Sequence, residues 1–370
     1  MTPIVEFGAI DAYDHLDEFA INTTTYPFRT LAGPVLGAVG SIKSPLMYLS
    51  NGTFLSMGIQ VFSTIDQVMI TGIKQSDATS LGTLQLTSGG YEDKVAWDGA
   101  ALSSSQSVIA WGYVMHTSPH VLGGAFCQLI SCDGSNTPVA IGSPTTIDPS
   151  TNYFFAVLAV KVAKIYDGGF IVIYLSAEND GSPHWYIRGQ RFDSSGTTVG
   201  SIFTVLNPAH AAVGGFMDRE SIAITSIRGQ ASMIVAYTTP GNVLTGQRYD
   251  LSGTTPTTDG SPFTIYTSTT VTSPVQLVSM LNDKFLAGYP RAGAYKGILY
   301  DVSSSGTPVI SIAETNLVSS STSVYLMESS DGGIIALYSS YLYRRNASLA
   351  LVGFISHSGR FWAGAANVLI

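Results

Sequence analysis

Residues whose types and spacing could support metal chemistry are few in this sequence. His116 and His120 are the closest pair of histidines, but Pro119 between them prevents the helical spacing that presents two metal ligands on one face. The segment 178–181 (Glu-Asn-Asp-Gly) comes nearest to a calcium loop. It lacks the alternating acids that supply several carboxylate oxygens to the ion. We therefore predict no metal site.

Motifs for covalent or cofactor chemistry are also missing. The sequence contains neither a Gly-x-Ser-x-Gly nucleophile elbow nor a Gly-rich phosphate-binding loop. It therefore predicts no cofactor and no catalytic residue, and we expect that the protein is not an enzyme. Because the paired carboxylates that hydrolyse glycosides can come from distant positions in a sequence, a glycoside-processing enzyme stays open as an alternative.

Aromatic residues near predicted strand ends are the main candidates for ligand binding, because flat rings can stack on the faces of sugar rings. These candidates are Trp97, Trp111, Trp185, Tyr186 and Trp362. The competing interpretation is that the same rings fill gaps between repeated units, where an aromatic side chain buries a large apolar area.

The elements that must position these residues belong to a repeated unit. Segments 189–196 (Gly-Gln-Arg-Phe-Asp-Ser-Ser-Gly) and 246–253 (Gly-Gln-Arg-Tyr-Asp-Leu-Ser-Gly) are its clearest copies. In each copy an aromatic residue ends a strand, Asp bonds to the backbone of a turn, and Gly supplies the positive φ that the turn requires. The segment recurs roughly every 50–60 residues. Its copies start at Gly72, Cys127, Gly189, Gly246, Gly297 and Gly353.

A second tight turn precedes each copy, as at Asn51-Gly52 and Asp167-Gly168, and such pairs between apolar runs predict β-hairpins. Each unit therefore contains four strands joined by a tight turn, a longer loop and another tight turn. Of the 370 residues 45% are hydrophobic and only 11% are charged, which fits Ser/Thr-rich strands around a large core. We predict an all-β fold, a β-propeller of four-stranded antiparallel blades, with six blades favoured over seven. A pair of β-sandwiches or a β-solenoid is the structural alternative.

The repeat also predicts the domain boundaries. The expected blades cover residues 45–90, 91–150, 151–207, 208–268, 269–318 and 319–370. We expect the last blade to keep its own outer strand within 361–370, so that residues 1–44 are not needed to close the ring. Residues 1–44 are predicted to form an N-terminal arm or attachment segment, with a degenerate seventh blade as the alternative.

The repeated segment resembles the blades of bacterial and phage-encoded β-propeller proteins that carry one Gly-x-x-aromatic-Asp-x-x-Gly turn per blade. The resemblance covers residues 45–370 and is strongest over 155–310. It implies the propeller fold and implies little about function, because such propellers serve many purposes.

Charge and hydropathy exclude several classes of partner. The net charge is −8 and no basic run exceeds the pair Arg344-Arg345, so we predict that nucleic acid is not a ligand. No apolar run reaches the roughly 18–20 residues of a membrane-spanning helix, so membrane insertion is not expected. The first residues, 1–7, have no basic segment followed by an apolar stretch, which predicts synthesis in a cytoplasm without a signal peptide.

The two cysteines, Cys127 and Cys132, lie on one predicted strand and its turn. Along an extended strand their separation is roughly 16 Å, which exceeds the reach of a disulfide. We predict two free, partly buried thiols.

Low charge and Ser/Thr/Gly-rich strands are typical of adhesins and virion surface proteins. We predict a non-enzymatic structural and recognition protein of a phage particle, a tail or fibre component that forms a homo-oligomer. Residues 1–44 would bind other virion proteins, and the propeller loops would bind a host glycan or surface protein. The expected location is the virion, with the bacterial cell surface or the extracellular space as the alternative. A lectin-like carbohydrate-binding propeller is the alternative function.

Overall fold

The computed structural model describes the strands and most of the turns of the chain. The described residues are 6–11, 15–20, 29–32, 46–62, 65–74, 76, 79–87, 92–117, 120–149, 155–179, 183–206, 221–239, 243–267, 274–319, 324–328, 332–338, 341–356 and 361–362. All regular structure within these ranges is β-strand.

The strands follow the chain in groups. Three strands come first: β1 (Glu6–Asp11), β2 (His15–Ala20) and β3 (Arg29–Ala32). Blade 1 comprises β4 (Leu46–Leu49), β5 (Thr53–Phe62), β6 (Ile65–Lys74) and β7 (Ser80–Gln85). Blade 2 comprises β8 (Glu92–Ala101), β9 (Gln106–Thr117), β10 (His120–Ser131) and β11 (Val139–Pro149). Blade 3 comprises β12 (Phe155–Lys164), β13 (Phe170–Asn179), β14 (Pro183–Phe192) and β15 (Thr198–Leu206).

The remaining groups complete the series. Blade 4 comprises β16 (Ile222–Ser226), β17 (Ser232–Thr239), β18 (Val243–Asp250), β19 (Thr257–Thr258) and β20 (Phe263–Thr267). Blade 5 comprises β21 (Gln276–Met280), β22 (Lys284–Arg291), β23 (Ala294–Asp301) and β24 (Val309–Val318). Blade 6 comprises β25 (Val324–Glu328), β26 (Ile334–Tyr338), β27 (Tyr341–Arg345) and β28 (Leu351–Ser356), and β29 (Phe361–Trp362) follows it.

Each blade is an antiparallel sheet whose strands pair in chain order, and we call its four strands A, B, C and D. In blade 4 the D strand is divided into β19 and β20, which both pair with β18. The A strands of successive blades, such as β12, β16 and β21, lie next to one another. The predicted all-β propeller with six four-stranded antiparallel blades is confirmed.

The apolar cores lie between blades rather than within them. Val108 and Ala125 of blade 2 share a core with Val172 of blade 3. The B strand of blade 3 is buried without interruption from Phe170 to Leu175, because its two faces contact two different neighbours. A single blade therefore cannot bury its own apolar surface.

The two ends of the blades differ. In blade 3 the A–B turn (165–169) and the C–D turn (193–197) lie at one end, which we call the turn face. At this end turns of neighbouring blades meet, as where the Asn51 side-chain amide donates to the Cys132 carbonyl at 2.9 Å. The opposite end, where strands B and C connect and where D leads to the next blade, we call the loop face.

A further four-stranded sheet joins the two ends of the sequence. Strand β1 pairs with β2, β2 pairs with β3, and β29 pairs with β1 through Ile10–Trp362 and Asp11–Phe361. Such a sheet is the arrangement that the seven-blade alternative anticipates. The expected outer strand of blade 6 within 361–370 is wrong, since β28 occupies that place and β29 pairs elsewhere. The role of residues 1–44 as an attachment segment stays a prediction.

The copy of the repeat assigned to Gly353 is also wrong, because residues 353–356 belong to the D strand. The corresponding turn begins at Asn346, whose side-chain oxygen accepts from the Ser348 and Ala350 amides at 3.0 Å. Asp193 accepts from the backbone of its own turn in the same way. Leu349 takes the position of the second glycine with φ 62°. Leu342, Arg345 and Asn346 replace the first glycine, the aromatic residue and the aspartate, so substitutions at all four motif positions conceal this copy from sequence comparison.

The first glycine of the motif makes room for a side chain from the D strand. A Cβ atom on Gly246 would overlap the ring of Phe263, and one on Gly189 would overlap the ring of Phe203. Each glycine therefore accommodates an aromatic side chain of the outer strand against strand C.

We predict that Gly246→Ala destabilises the protein by about 1–3 kcal/mol, the usual cost of overpacking. Gly58→Ala is the matched control, because a Cβ there has no neighbour within 4 Å. Guanidinium-induced unfolding measures both variants, and adding Phe263→Leu to Gly246→Ala should recover part of the loss. Equal stability of the two single variants would refute the packing role.

Candidate functional site

The polar residues that recur in the motif hold the ring together. Gln190 donates to the Arg191 carbonyl at 2.8 Å and to the Val199 carbonyl of the D strand at 3.2 Å. Gln247 donates to the Arg248 carbonyl at 2.7 Å and to the carbonyl of Gly260, between the two parts of the D strand, at 3.3 Å. The repeated glutamine therefore fastens strand C to the outer strand, where the ladder is irregular.

The arginine of the motif connects one blade to the next. Arg191 of blade 3 donates to the Leu251 carbonyl at 2.8 Å and to the Gly253 carbonyl, both in the C–D turn of blade 4. The Nη2 atom of Arg191 pairs with the Asp167 carboxylate of blade 3 at 2.6 Å. The guanidinium is buried, so the ion pair with Asp167 offsets the cost of removing its charge from water.

Arg248 repeats this arrangement one blade further on. It donates to the Ser304 carbonyl in the turn of blade 5 and pairs with Asp259 at 3.1 Å. It also donates to Gln230, whose amide donates to Asp283 of blade 5 at 2.7 Å. A cleft of about 390 Å³ opens beside this network. Its lining residues are Gln230, Ala231, Ser232, Arg248, Asp250, Thr257, Thr258, Asp259 and Ser305. Because Arg248 and Asp259 both bond to the C–D turn of blade 5, we assign the cleft to the polar contact between blades 4 and 5.

A different polar cluster lies between blades 2 and 3, on the part of strands B and C beyond the motif. The Tyr174 hydroxyl donates to the Asp148 carboxylate at 2.7 Å, and Arg188 pairs with the same oxygen at 3.3 Å. The Arg188 guanidinium lies over the Tyr186 ring, 4.2 Å from its centre. Arg188 and Asp148 are 22% and 17% exposed, so both reach solvent.

A second cluster lies between blades 4 and 5. The Tyr289 hydroxyl donates to Glu314 at 2.7 Å, and Arg291 pairs with the same oxygen at 2.5 Å. Lys296 lies 3.8 Å from the other oxygen of Glu314. The Arg291 guanidinium lies over Tyr266, 4.6 Å from the ring centre, and Tyr266 stacks on Tyr289.

The two clusters occupy equivalent places in the fold. The motif aromatic of strand C pairs with Phe170 in blade 3 and with Phe285 in blade 5. Tyr174 and Tyr289 each lie four residues after that B-strand residue. Arg188 and Lys296 both precede the motif glycine on strand C. The acids are not equivalent. Asp148 belongs to the blade before the one that carries Tyr174, whereas Glu314 belongs to the same blade as Tyr289.

Burial and charge define the protonation of these groups. Burial, reinforced by the adjacent carboxylates, raises the pKa of Tyr174 and Tyr289, so both phenols remain hydrogen-bond donors. Burial acts to raise the pKa of Glu314, but the Tyr289 hydroxyl, Arg291 and Lys296 outweigh it and lower the pKa. Glu314 is therefore an anion at neutral pH.

Two more acids lie on inner strands, and burial is the main influence on both. It raises the pKa of Asp98, which accepts from the Val162 amide of the next A strand at 2.8 Å. It also raises the pKa of Glu328, which accepts from the Leu281 amide at 2.6 Å and pairs with Arg228 at 2.5 Å. Both acids connect neighbouring blades.

The aromatic residues predicted from the sequence do not form one platform. Trp97 and Trp111 pair across strands β8 and β9, and both rings are buried in the core between blades 1 and 2. Trp185 and Tyr186 are half-buried and point to opposite faces of β14, Trp185 toward blade 4 and Tyr186 toward Arg188. Trp362 is in β29, and its side chain lies outside the described residues. Their role in ligand binding stays a prediction.

Sequence reasoning missed the tyrosine of these clusters, although a signal is present. In four B strands a run of four apolar residues, with glycine as the fourth in one of them, is followed directly by tyrosine. These runs are 170–174 (Phe-Ile-Val-Ile-Tyr), 233–237 (Met-Ile-Val-Ala-Tyr), 285–289 (Phe-Leu-Ala-Gly-Tyr) and 334–338 (Ile-Ile-Ala-Leu-Tyr). No comparable local pattern identifies Asp148 or Glu314, because their partners lie on other strands.

The described residues contain no group of three or more His, Cys, Asp or Glu side chains placed to hold a metal ion. Cys127 and Cys132 are free, as predicted, but they are fully buried rather than partly buried, and burial raises the pKa of Cys127 to about 12. Within the described part of the chain no helix has the length and apolarity needed to cross a bilayer.

Comparison with known proteins gives the fold but no family. No family matches the sequence, and no curated protein is similar to it. A puromycin-hydrolysing peptidase from Mycobacterium tuberculosis has a similar structure, with 12% identity and a TM-score of 0.54 over 97% of this chain and 51% of that one. A Hadza microbial sialidase shows 12% identity and a TM-score of 0.49 over 88% of this chain and 71% of that one. An α-L-arabinanase from Penicillium chrysogenum shows 12% identity and a TM-score of 0.45 over 75% and 80%.

These structures correct one prediction. The expectation that the protein is not an enzyme is wrong as drawn, because it took the missing local motif as evidence against catalysis. The similar structure with a TM-score of 0.54 is named as a peptidase, so the missing local motif does not argue against catalysis on this fold. Catalytic groups on such a fold can come from different blades, and a local motif is then not expected.

We predict an acid-dependent stability from Glu314. Its folded pKa lies below the ordinary 4.5, so its contribution is complete above pH 4.5 and is lost as the pH falls through the folded value. Glu314→Gln should therefore be less stable than the wild type at pH 7, by about 1 kcal/mol, with the gap closing as the pH falls from 4.5 through the lowered folded pKa. Urea unfolding across this pH range measures the gap.

Glu328→Gln is the matched control, in which the pH dependence of stability should have the opposite sign. The folded pKa of Glu328 lies above 4.5, so its carboxyl favours folding below pH 4.5 and loses that contribution as the pH rises. A pH dependence of the same sign in both variants would contradict the assignment.

Proposed function

We propose that the protein is a carbohydrate-recognition propeller whose ligand binds at the junction of blades 2 and 3. The observation that carries the proposal is the Arg188 guanidinium, held over Tyr186 at 4.2 Å while it pairs with Asp148. Side chains fixed in this way lose little conformational freedom when a ligand binds.

The chemistry of this cluster fits the hydroxyl groups of a sugar. A hydroxyl both donates and accepts, and the cluster offers a carboxylate that accepts beside a guanidinium that donates. The pair of Arg188 and Asp148 is neutral as a unit, which favours a neutral polar ligand over an ion. Tyr186 supplies apolar ring surface next to these groups, as carbon-bound hydrogens on a sugar ring require.

The composition supports a more specific proposal about the biological setting. Low charge and Ser/Thr/Gly-rich strands fit a phage tail or fibre component that attaches through residues 1–44 and binds a host glycan. The copurification of the chain with phage particles, and its loss from them when residues 1–44 are deleted, would support this setting. A particle that retains the chain lacking residues 1–44 would contradict it.

The glycan proposal is tested with Tyr186→Ala and Arg188→Gln on an array of neutral glycans. We expect each variant to lower the apparent affinity by about tenfold or more, equivalent to about 1.4 kcal/mol. Trp185→Ala, measured in parallel, tests the neighbouring face of the same strand.

Tyr166→Ala is the matched control, because Tyr166 is an exposed aromatic on the turn face of the same blade. It should bind as the wild type does. Absence of any bound glycan, or equal losses in Tyr166→Ala and Tyr186→Ala, would overturn the proposal.

A further inference from the structure

The junction of blades 4 and 5 carries an excess of positive charge that its counterpart lacks. There Arg291 and Lys296 face the single carboxylate of Glu314, whereas Arg188 and Asp148 balance each other between blades 2 and 3. We infer that this junction is a second ligand site, and that it takes an acidic saccharide that carries a carboxylate or a sulfate. The inference rests on the proposed carbohydrate recognition and extends it to another surface and ligand class.

The backbone holds the exposed cation in place. Arg291 ends strand B and is followed by a two-residue hairpin in which Ala292 and Gly293 have φ of 49° and 77°. Positive φ at both positions is the mark of a type I′ turn, whose twist matches the paired strands. The side chain therefore leaves from a short, regular hairpin and not from a long loop.

Its guanidinium is oriented but not covered. Glu314 accepts from one nitrogen at 2.5 Å and Tyr266 lies against the plane, yet the Arg291 side chain remains 41% exposed. A planar guanidinium binds an oxyanion through two parallel N–H bonds, which gives affinity and direction. Lys296 adds a second cation on the neighbouring strand, and the phenol of Tyr289 orients the carboxylate between them.

The intervening junction separates the two sites. Between blades 3 and 4 the equivalent tyrosine is Tyr237, which lies in an apolar core with Leu206 in the place of Asp148. Thr245 occupies the position of Arg188. The charged junctions alternate with this apolar one, so the two sites should bind independently.

The test compares the full chain and its variants on one array of neutral, carboxylated and sulfated glycans. Arg291→Gln should lower the signal of acidic glycans by about tenfold or more and leave neutral glycans within about twofold. Tyr186→Ala should do the reverse. Lys296→Gln should weaken acidic glycans less than Arg291→Gln, and Arg291→Lys should recover part of the signal because it restores the charge. The carboxylated and sulfated sets show which oxyanion is preferred.

Arg228→Gln is the matched control. Arg228 is also 41% exposed and also pairs with a glutamate at 2.5 Å, but it lies on the turn face. It should leave the acidic signal unchanged. Thermal unfolding of every variant verifies that the fold is retained.

Two failures can be told apart. Acidic signals that depend on Tyr186 and not on Arg291 would overturn the second site and leave the proposed function standing. Complete absence of glycan binding would overturn both. Equal losses in Arg228→Gln and Arg291→Gln would show a general charge effect and would also overturn the second site.

Discussion

Contact between neighbouring blades is the constraint on which the rest of this structure depends. Phe170 to Leu175 is buried on both faces, and each face belongs to a different interblade core. Removing one blade would expose the faces of two others to water at about 25 cal/mol per Å² of apolar area. The buried guanidinium groups of Arg191 and Arg248 extend the same dependence to the polar turns, because each bonds to backbone carbonyls of the next blade.

This constraint explains why the motif repeats. In blades 3 and 4 its glycine makes room for an aromatic side chain, its glutamine bonds strand C to the outer part of the blade, its arginine bonds to the next blade and its aspartate closes a turn. Because these side chains bond within the propeller, we place the proposed ligand sites at positions where the blades differ. The blade junctions beyond the motif are such positions. The B-strand tyrosine is present at three of them, and its neighbours are charged between blades 2 and 3 and between blades 4 and 5 but apolar between blades 3 and 4.

Sequence patterns predict local structure well here and contacts between strands poorly. The turns at Asp193 and Asp250 follow from short-range rules for side-chain bonding and positive φ. The turn at Asn346 was not predicted, because Leu349 stands in the place of glycine. Leucine rarely takes the positive φ that this position requires. The pairing of Glu314 with Tyr289 depends on an irregular outer strand whose register no local rule supplies. The aromatic residues show the same limit. Trp111 is buried in a core and Tyr186 is half-buried, and the residue type alone does not predict this difference.

The central claim is that the repeated motif serves the ring through contacts between blades. Hydrogen exchange of Arg248→Gln tests it most directly, because the Gly306 amide of blade 5 donates to Asp259, the partner of Arg248, at 2.7 Å. The account predicts faster exchange at Gly306 and in the turn around it, with no change at the Gly196 amide in blade 3. Faster exchange confined to blade 4, with Gly306 unaltered, would contradict it.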